Sequence, residues 1–173
     1  MSPKRSAGAA NLLLLALVSC ALASFACGAE REAAEPAPDF SLRDLEGSEV
    51  SLAGLRGKTV VIDFWATWCA PCVFQPPELN KVWAAYRDSG KVMVLGIEVG
   101  GASVDEVRAW GVENEAVADY PLLVGADDEL ARRFGVMGYP ASAVVAPDGT
   151  IDSVTVGLAS AEEIEAEIAH LID

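Results

Sequence analysis

The sequence predicts an α/β fold, and three observations support this fold class. Two apolar runs, Lys58–Trp65 and Val92–Val99, have the length and composition of buried strands. Helical patterns follow these runs, and Ser103–Glu106 has the sequence of a helix-capping box. A turn signal at Pro147–Gly149 lies between two further apolar segments and predicts an antiparallel hairpin. The 173 residues suffice for one domain with a sizeable core.

Residues 1–27 have the features of a secretory signal peptide. Lys4 and Arg5 give a positively charged start, and Leu12–Val18 forms a short apolar stretch. The stretch is too short, and too interrupted by polar residues, for a convincing membrane span, and an uncleaved anchor is the alternative. We therefore expect an exported protein.

Two cysteines in this leader are candidates for lipid attachment. Leu17–Cys20 resembles a lipobox, the site at which a bacterial lipoprotein is cleaved and lipid-modified on the cysteine. Cys27 has a poorer match before it but leaves a polar mature start. Cleavage without lipid, after Ala23 or Ala26, is a further alternative. A lipidated protein would be tethered to a membrane surface and would not span it.

Residue composition distinguishes a linker from the folded domain, and the net charge limits the classes of binding partner. Residues 28–37 are rich in Ala, Glu and Pro and are interpreted as a linker, with the folded domain over residues 38–173. The chain has a formal net charge of −14, and loss of the leader would remove two basic residues and no acidic one. A protein this acidic is not expected to bind nucleic acid, or anionic lipid by electrostatics.

The domain is predicted to begin with a hairpin. Short alternating segments, Asp39–Leu42 and Glu49–Leu52, flank the turn sequence Asp44–Gly47. The apolar run Lys58–Trp65 then provides the central strand.

A helix that continues to about Asp88 follows this strand. Pro76 and Pro77 are expected to interrupt its first half, because proline removes helical hydrogen bonds. The remaining predicted elements are a strand at Val92–Val99, a helix from Ser103 to about Gly111, a strand at Pro121–Val124, a helix at Asp127–Phe134, strands at Ala143–Ala146 and Ile151–Val156, and a last helix capped by Ser160.

Two cysteines, Cys69 and Cys72, follow the central strand with two residues between them. A helix that starts here would place Cys69 at its N-terminus, where unpaired N–H groups and the helix dipole favour a thiolate. Cys72, one turn later, can close a disulfide with Cys69. An ordinary structural disulfide and half of a zinc site are the alternatives. Zinc is disfavoured because the only histidine is His170 and no second cysteine pair lies in the domain.

The segment WATWCAPC, residues 65–72, resembles the thioredoxin superfamily and, within it, the TlpA/ResA-like extracytoplasmic thiol-disulfide oxidoreductases. The resemblance covers roughly Pro38 to the C-terminus. It implies a thioredoxin-like fold, with a central mixed sheet flanked by helices and the added N-terminal hairpin of this branch. It also implies that Cys69 is the attacking thiol, that Cys72 is the resolving thiol, and that the site uses no metal or cofactor.

Asp63 lies inside the central strand, six residues before Cys69. An acid in an apolar strand is costly unless it has partners or a function, and burial raises the pKa of a carboxyl group. By resemblance to thioredoxin, we expect Asp63 to accept the proton of Cys72. A solvent-facing aspartate at the strand end is the alternative.

A second motif, Gly135–Pro140, reads GVMGYP and is similar to the GVxGxP motif of the cytochrome-maturation thioredoxins. The resemblance implies a cis peptide bond between Tyr139 and Pro140, with the proline beside the two cysteines. The backbone of Tyr139 would then face outward and pair with an extended substrate. A trans proline at a strand entrance is the alternative.

Aromatic residues and a proline near the cysteines are expected to support the site. Trp65 and Trp68 are predicted to wall it and to keep water from Cys72, and Pro71 lies between the two cysteines. Two other tryptophans are interpreted as packing residues only, namely Trp83 and Trp110.

Several positions depart from the family pattern and make the site less charged. Gln75 stands where a glutamate is usual, and Val73 stands where a basic residue is frequent. Ala141 and Ser142 follow the proline in place of the threonine that is common there. Glu98 is interpreted as a surface charge at a strand end, with a compensating acid in the site as the alternative.

These residues predict a dithiol–disulfide oxidoreductase that works through Cys69 and Cys72. The resemblance favours a reductant of disulfides in exported proteins, apocytochrome c among them, which a membrane electron donor of the thioredoxin-reducing type recharges. We expect a monomer in the periplasm or cell envelope of a bacterium, lipid-anchored if Cys20 or Cys27 is modified.

Two other functions were weighed for the same cysteines. A peroxiredoxin-like peroxidase shares the N-terminal hairpin, but the Pro-x-x-x-Thr-x-x-Cys run of its peroxidatic cysteine is absent before Cys69. A copper chaperone would use both thiols as soft ligands. Chaperones of this fold usually add a nearby histidine and space their cysteines by three, which is not the pattern here.

Overall fold

A computed structural model of the protein describes residues 35–172. These residues belong to one compact unit, Ala34–Asp173. The expected signal peptide and the two lipidation candidates, Cys20 and Cys27, lie outside the described residues. Within the described part, no helix has the length and apolar character that a membrane span requires.

A seven-stranded mixed sheet forms the centre of the fold. Its spatial order is β2-β1-β5-β4-β3-β6-β7. β3 pairs in parallel with β4 and antiparallel with β6, β4 pairs in parallel with β5, and the other contacts are antiparallel. The strands are β1 (Ser41–Asp44), β2 (Glu49–Ser51), β3 (Thr59–Trp65), β4 (Val92–Glu98), β5 (Leu122–Val124), β6 (Ala141–Val145) and β7 (Ile151–Val156). The predicted α/β fold, its mixed sheet and both hairpins are confirmed.

The central strand β3 is buried along its whole length. Its apolar run shows no alternation with polar residues, as expected for a strand that is covered on both faces. Val60 and Ile62 belong to one core cluster and Val61 to another, because successive side chains point to opposite faces. Asp63 lies on the face of Val61.

Four α-helices cover the two faces: α1 (Gln75–Tyr86), α2 (Val104–Glu113), α3 (Asp128–Arg133) and α4 (Ala161–Ile168). α1 and α4 pack on the face of Val61, and α3 packs on the opposite face. The predicted capping boxes are present, with Ser103 and Glu106 at the start of α2 and Ser160 and Glu163 at the start of α4.

The helix after the cysteines differs from the prediction. Ala70–Phe74 forms a 3₁₀-helix, and the α-helix begins only at Gln75. Pro76 and Pro77 therefore lie in the first turn of α1 and do not interrupt it. Proline is tolerated there because the first N–H groups of an α-helix have no intrahelical acceptor.

The ordered chain also starts earlier than Pro38. The N–H of Ile151 donates to the carbonyl of Glu35 at 2.9 Å, and the N–H of Ala37 donates to the carbonyl of Gly149 at 3.0 Å. Pro36 forms an isolated antiparallel bridge with Thr150. The last residues of the predicted linker are therefore attached to the start of β7.

Candidate functional site

Cys69 and Cys72 form a disulfide at the end of β3, with a Cα–Cα distance of 5.4 Å. Cys69 precedes the first residue of the 3₁₀-helix Ala70–Phe74, and Pro71 occupies its first turn. The N–H of Cys72 donates to the carbonyl of Cys69 at 3.1 Å, so this turn holds the two side chains on one side. If the disulfide is reduced, the position of Cys69 at the start of this turn favours its thiolate.

The disulfide is part of a small apolar cluster. This cysteine cluster contains Trp65, Ala66, Cys69, Cys72 and Val107. Cys69 is 5% exposed and Cys72 only 1%, so the first cysteine is the more accessible of the two. The ring of Trp110 packs on the ring of Trp65 with centroids 4.5 Å apart, so Trp110 contacts the cysteine cluster through Trp65. The sequence identified Trp110 as a packing residue but did not show what it packs against.

Trp68 is not part of this cluster. Its side chain is 66% exposed, and its ring meets the ring of Tyr139 edge-to-face at 5.8 Å. Trp65 lies in the cluster as expected, and Trp68 borders it with a largely exposed ring, so the shielding of Cys72 by Trp68 stays a prediction. Other large apolar side chains are also exposed on segments next to the site, namely Phe74, Met137 and Leu158.

The peptide bond between Tyr139 and Pro140 is cis, as predicted. Pro140 is buried, and its carbonyl accepts the N–H of Gly157 at 2.8 Å. Tyr139 packs against the cysteine cluster, and its N–H has no backbone partner within residues 35–172. The Tyr139 hydroxyl donates to the carboxylate of Asp128. This bond lowers the pKa of Asp128, while burial and the same bond raise the pKa of Tyr139.

Asp63 is buried in the middle of β3, with 2% exposure. Burial raises the pKa of its carboxyl from 3.8 to about 8. Its Oδ1 atom has no hydrogen-bond partner among the described residues. The solvent-facing alternative is thus excluded, and the carboxyl can change its protonation state near neutral pH.

Gln75 is also buried, at 2% exposure, and binds the chain that leads into α4. Its Nε2 donates to the carbonyl of Ala159 at 2.9 Å, and its Oε1 accepts the N–H of Ala159 at 3.0 Å. An amide satisfies both backbone groups, whereas an ionised carboxylate can only accept. The departure from glutamate at this position therefore has a structural use.

The interpretation of Glu98 as a surface charge is wrong. Its side chain is fully buried at the end of β4. The carboxylate accepts the N–H of Gly100 at 2.8 Å and the N–H of Ala102 at 2.9 Å. Glu98 is buried because it caps the loop between β4 and α2, which passes beside the cysteines.

Two further residues lie near Asp63. Tyr120 was not identified from the sequence, and Ser142 was identified only as a departure from the family pattern. Both are buried, and both carry hydroxyls without a hydrogen-bond partner among the described residues. Tyr120 lies outside any helix or strand, so no hydrophobic periodicity in the sequence marks it as buried.

A cavity of about 510 Å³ lies beside the cysteine cluster, and its lining includes Tyr120, Val107 and Trp110. Within the described part, no group of three or more His, Cys, Asp or Glu side chains is arranged to hold a metal ion.

The chain matches the model of the AhpC/TSA family over residues 33–154. It is 31% identical to a thioredoxin-like protein, YneN, of Bacillus subtilis over 134 residues, which cover 78% of this chain and 77% of the relative. It is also 31% identical to the thiol-disulfide oxidoreductase ResA of Geobacillus thermodenitrificans over 135 residues, which cover 78% and 75% of the two chains.

Solved structures share the fold. A thiol:disulfide interchange protein of the thioredoxin family from Chlorobium tepidum superposes with a TM-score of 0.67 at 27% identity, covering 81% of this chain and 97% of the other. A secreted disulfide oxidoreductase of Mycobacterium tuberculosis, described as homologous to DsbE of E. coli, gives a TM-score of 0.62 at 27% identity and covers 76% and 96%.

Proposed function

The chain belongs to the AhpC/TSA family and is a thiol-disulfide oxidoreductase of the ResA type, and on this premise we propose that Cys69 and Cys72 are the redox pair with which it reduces disulfides of exported proteins. Apocytochrome c is one candidate substrate. The observation that carries the proposal is a disulfide of two nearly buried cysteines in a cluster against which Tyr139 packs, next to its cis bond to Pro140. The cluster also contains Trp65, which lies on the same strand as the buried Asp63.

The proposed reaction starts from the dithiol. The Cys69 thiolate attacks one sulfur of the substrate disulfide, which forms a mixed disulfide and releases the other substrate sulfur as a thiolate. Asp63 takes the proton of Cys72, and the Cys72 thiolate attacks the Cys69 sulfur. The second substrate sulfur leaves with the electron pair and takes up a proton. Two electrons thus pass from the cysteine pair to the substrate.

Tyr139 and the exposed apolar side chains supply the proposed substrate contact. The free N–H of Tyr139 suits pairing with an extended backbone, because β-strand addition needs an unpaired donor. Trp68, Phe74 and Met137 are exposed on neighbouring segments, where they suit apolar residues around the substrate cysteine. Pro71 has no N–H and leaves the cysteine turn without a competing donor.

We place the protein in the bacterial cell envelope. Residues 1–27 act as the export signal, residues 28–34 as a linker and the chain from Glu35 onward as the catalytic domain, which works as a monomer. Cys20 or Cys27 carries the lipid if the protein is anchored. A membrane donor of the thioredoxin-reducing type returns electrons to the pair. One related structure is described as that of a secreted oxidoreductase, which agrees with export.

The reduction potential of the Cys69–Cys72 pair tests the direction of transfer. Equilibration of residues 34–173, the compact unit, with dithiothreitol or glutathione should give a value near that of thioredoxin, about −270 mV. A value near −120 mV would make the protein an oxidant and overturn its role as a reductant. Peroxide consumption and copper titration in the same samples would expose the two rejected functions.

Trapping of the mixed disulfide tests the order of the two thiols. Cys72→Ala should accumulate a covalent adduct with a disulfide-bearing peptide, because the resolving thiol is missing. The matched variant Cys69→Ala should trap none. Equal trapping by both variants would contradict the assignment of Cys69 as the attacking thiol.

A further inference from the structure

Four buried polar side chains on one face of the sheet have no hydrogen-bond partner among the residues described. The unpartnered atoms are Asp63 Oδ1, Trp65 Nε1, Tyr120 Oη and Ser142 Oγ. None of the four residues is more than 4% exposed. Buried polar atoms are ordinarily hydrogen bonded, so a group of four requires a physical explanation. We call these residues the polar quartet.

Strand register brings three members of the polar quartet together. Asp63 on β3 is the direct partner of Ser142 on β6 and of Gly96 on β4. Directly paired residues of neighbouring strands point to the same face of a sheet. Trp65 lies two residues after Asp63 on the same strand and so shares this face.

Gly96 leaves room for Tyr120, the fourth member of the polar quartet. A Cβ atom on this glycine would lie 3.2 Å from Cε2 of Tyr120 and 3.3 Å from Nε1 of Trp65. Cε2 is bonded to the ring carbon that carries the hydroxyl, so the polar end of Tyr120 lies above Gly96, next to Asp63. The same Cβ would lie 2.5 Å from Cδ2 of Leu122, so the absence of a side chain on Gly96 lets both Leu122 and the tyrosine ring approach β4 beside the carboxyl.

The chemistry of the polar quartet suits one water molecule. The two hydroxyls can donate or accept, the indole N–H can only donate, and a carboxylate oxygen accepts. An internal water typically makes about three such bonds to polar groups that would otherwise be unsatisfied. Tyr120 is the one member of the polar quartet that also lines the cavity beside the cysteine cluster.

We propose that the polar quartet binds an internal water against the Asp63 carboxyl, and that Tyr120 is the positioning residue that orients this water and stabilises the carboxylate. The proposal rests on the proposed function of Asp63 as the proton acceptor for Cys72. When the Cys72 S–H bond breaks, its proton goes to the carboxylate. When the product thiolate leaves, the water returns a proton from Asp63 to solvent, and the charge on Asp63 is restored.

The electrostatic surroundings agree with a donating tyrosine. Burial and the nearby charge of Asp63 raise the pKa of Tyr120, so its hydroxyl keeps its proton. Other titratable side chains on the elements around this face include Glu98 at the end of β4, the Glu78–Lys81 ion pair and Tyr86 on α1, and, on α4, three surface glutamates and Glu167, which accepts from Ser153 and Thr155 of β7. Cys72 joins them when the disulfide is reduced. Among the described residues, no lysine or arginine is buried, so hydroxyl donors are the available means of stabilising the carboxylate.

The direct test is a carboxyl-carbon NMR titration of Asp63 in the disulfide form of the protein. Tyr120→Phe keeps the ring over Gly96 and removes only the hydroxyl. We expect the Asp63 midpoint, about 8 in the unmutated protein, to rise by about one pH unit, since a donor to the charged form is lost. Tyr86→Phe is the matched control, because Tyr86 lies at the other end of α1. Ser142→Ala should shift the midpoint in the same direction, and an unchanged midpoint in Tyr120→Phe would overturn the proposal.

The pH profile of mixed-disulfide resolution separates this proposal from the proposed function. For Tyr120→Phe, the rate below the midpoint should fall about tenfold while the plateau at high pH is kept, whereas mere loss of packing would lower the rate at every pH. In an Asp63→Asn background, Tyr120→Phe should leave the profile unchanged. If the NMR midpoint moves but Asp63→Asn does not alter turnover, the proton-acceptor function fails and the Tyr120 contact stands.

Discussion

At the scale of single residues, Gln75 shows how a neutral side chain can serve a position where the family resemblance predicts an acid. Its amide donates to one backbone group of Ala159 and accepts from the other. Both bonds are buried, so neither can be exchanged for a bond to water without cost. The residue therefore joins the start of α1 to the segment before α4.

Gln75→Glu should make stability depend on pH at this position. A protonated carboxyl can make both bonds, whereas an ionised one opposes the Ala159 carbonyl. The folded protein therefore holds the proton more tightly than the unfolded chain, whose glutamate pKa is about 4.3. Relative to the unmutated protein, stability should be nearly kept below about pH 4 and should fall by roughly 1–3 kcal/mol as the pH rises.

Chemical denaturation at several pH values would measure this effect. Gln75→Met is the matched control, because it removes both bonds at every pH and so should show a constant deficit. A deficit of Gln75→Glu that does not change with pH would contradict the role of the paired bonds.

At the scale of elements, the loop from β4 to α2 is fixed by its close approach to the site. Glu98 caps the loop, and a Cβ atom on Gly100 would lie 2.6 Å from Glu98 Oε1, 2.7 Å from Trp68 Nε1 and 3.0 Å from the Ala66 Cβ. Real Cβ atoms essentially never approach other atoms below 3.0 Å. Only glycine fits this position without moving its neighbours.

Gly100→Ala should lower the free energy of unfolding by roughly 1–3 kcal/mol, the usual cost of overpacking. Gly111→Ala is the matched comparison within the next element, α2. A Cβ atom at Gly111 would lie at an ordinary 3.7 Å from its nearest neighbour. Because alanine favours the helix over glycine, this substitution should raise the free energy of unfolding by up to about 1 kcal/mol. Urea denaturation of both variants checks the pair, and equal effects of the two substitutions would rule out crowding at Gly100.

Local patterns predicted the elements well where the signal is short-range. The buried strands, both capping boxes and the hairpin turns depend on neighbours in sequence, and all of them are present. The 3₁₀ start of the helix was missed because the prolines were assigned to a helix interior. The burial of Glu98 was missed because its bonds to the N–H groups of Gly100 and Ala102 cap a loop and have no periodic signature. Tyr120 was missed because its burial depends on contacts between distant elements.

At the scale of the whole molecule, the buried Asp63 imposes a cost on folding that depends on pH. Burial raises the pKa of its carboxyl from the ordinary 3.8 to about 8 in the folded protein. The folded state therefore keeps a proton that the unfolded chain releases. Its contribution to stability is complete below about pH 4 and is lost as the pH rises to about 8.

Asp63→Asn should remove this dependence of folding stability on pH. The variant should become more stable than the unmutated protein as the pH rises through this range, by an amount on the order of a few kcal/mol. Thermal unfolding of the disulfide form between about pH 5 and pH 9 would measure it, with Asp88→Asn, an exposed aspartate, as control. A difference between Asp63→Asn and the unmutated protein that stays constant with pH would contradict the assigned burial cost.

The cysteine pair, Pro140 and Asp63 could be identified before the structure because each belongs to a short motif or a single strand. The polar surroundings of Asp63 could not, since they come from three strands and a loop. The sequence thus predicts which groups react, and the fold determines which groups tune them.

The two ends of the sheet bear on how the molecule behaves at high concentration. A protein that binds extended chains risks pairing with copies of itself through unpaired strand edges. Here one outer strand, β2, has only three residues, and Glu35–Ala37 covers the beginning of the other, β7. With one border short and the start of the other occupied, fewer backbone groups at the edges of the sheet remain to pair with another copy.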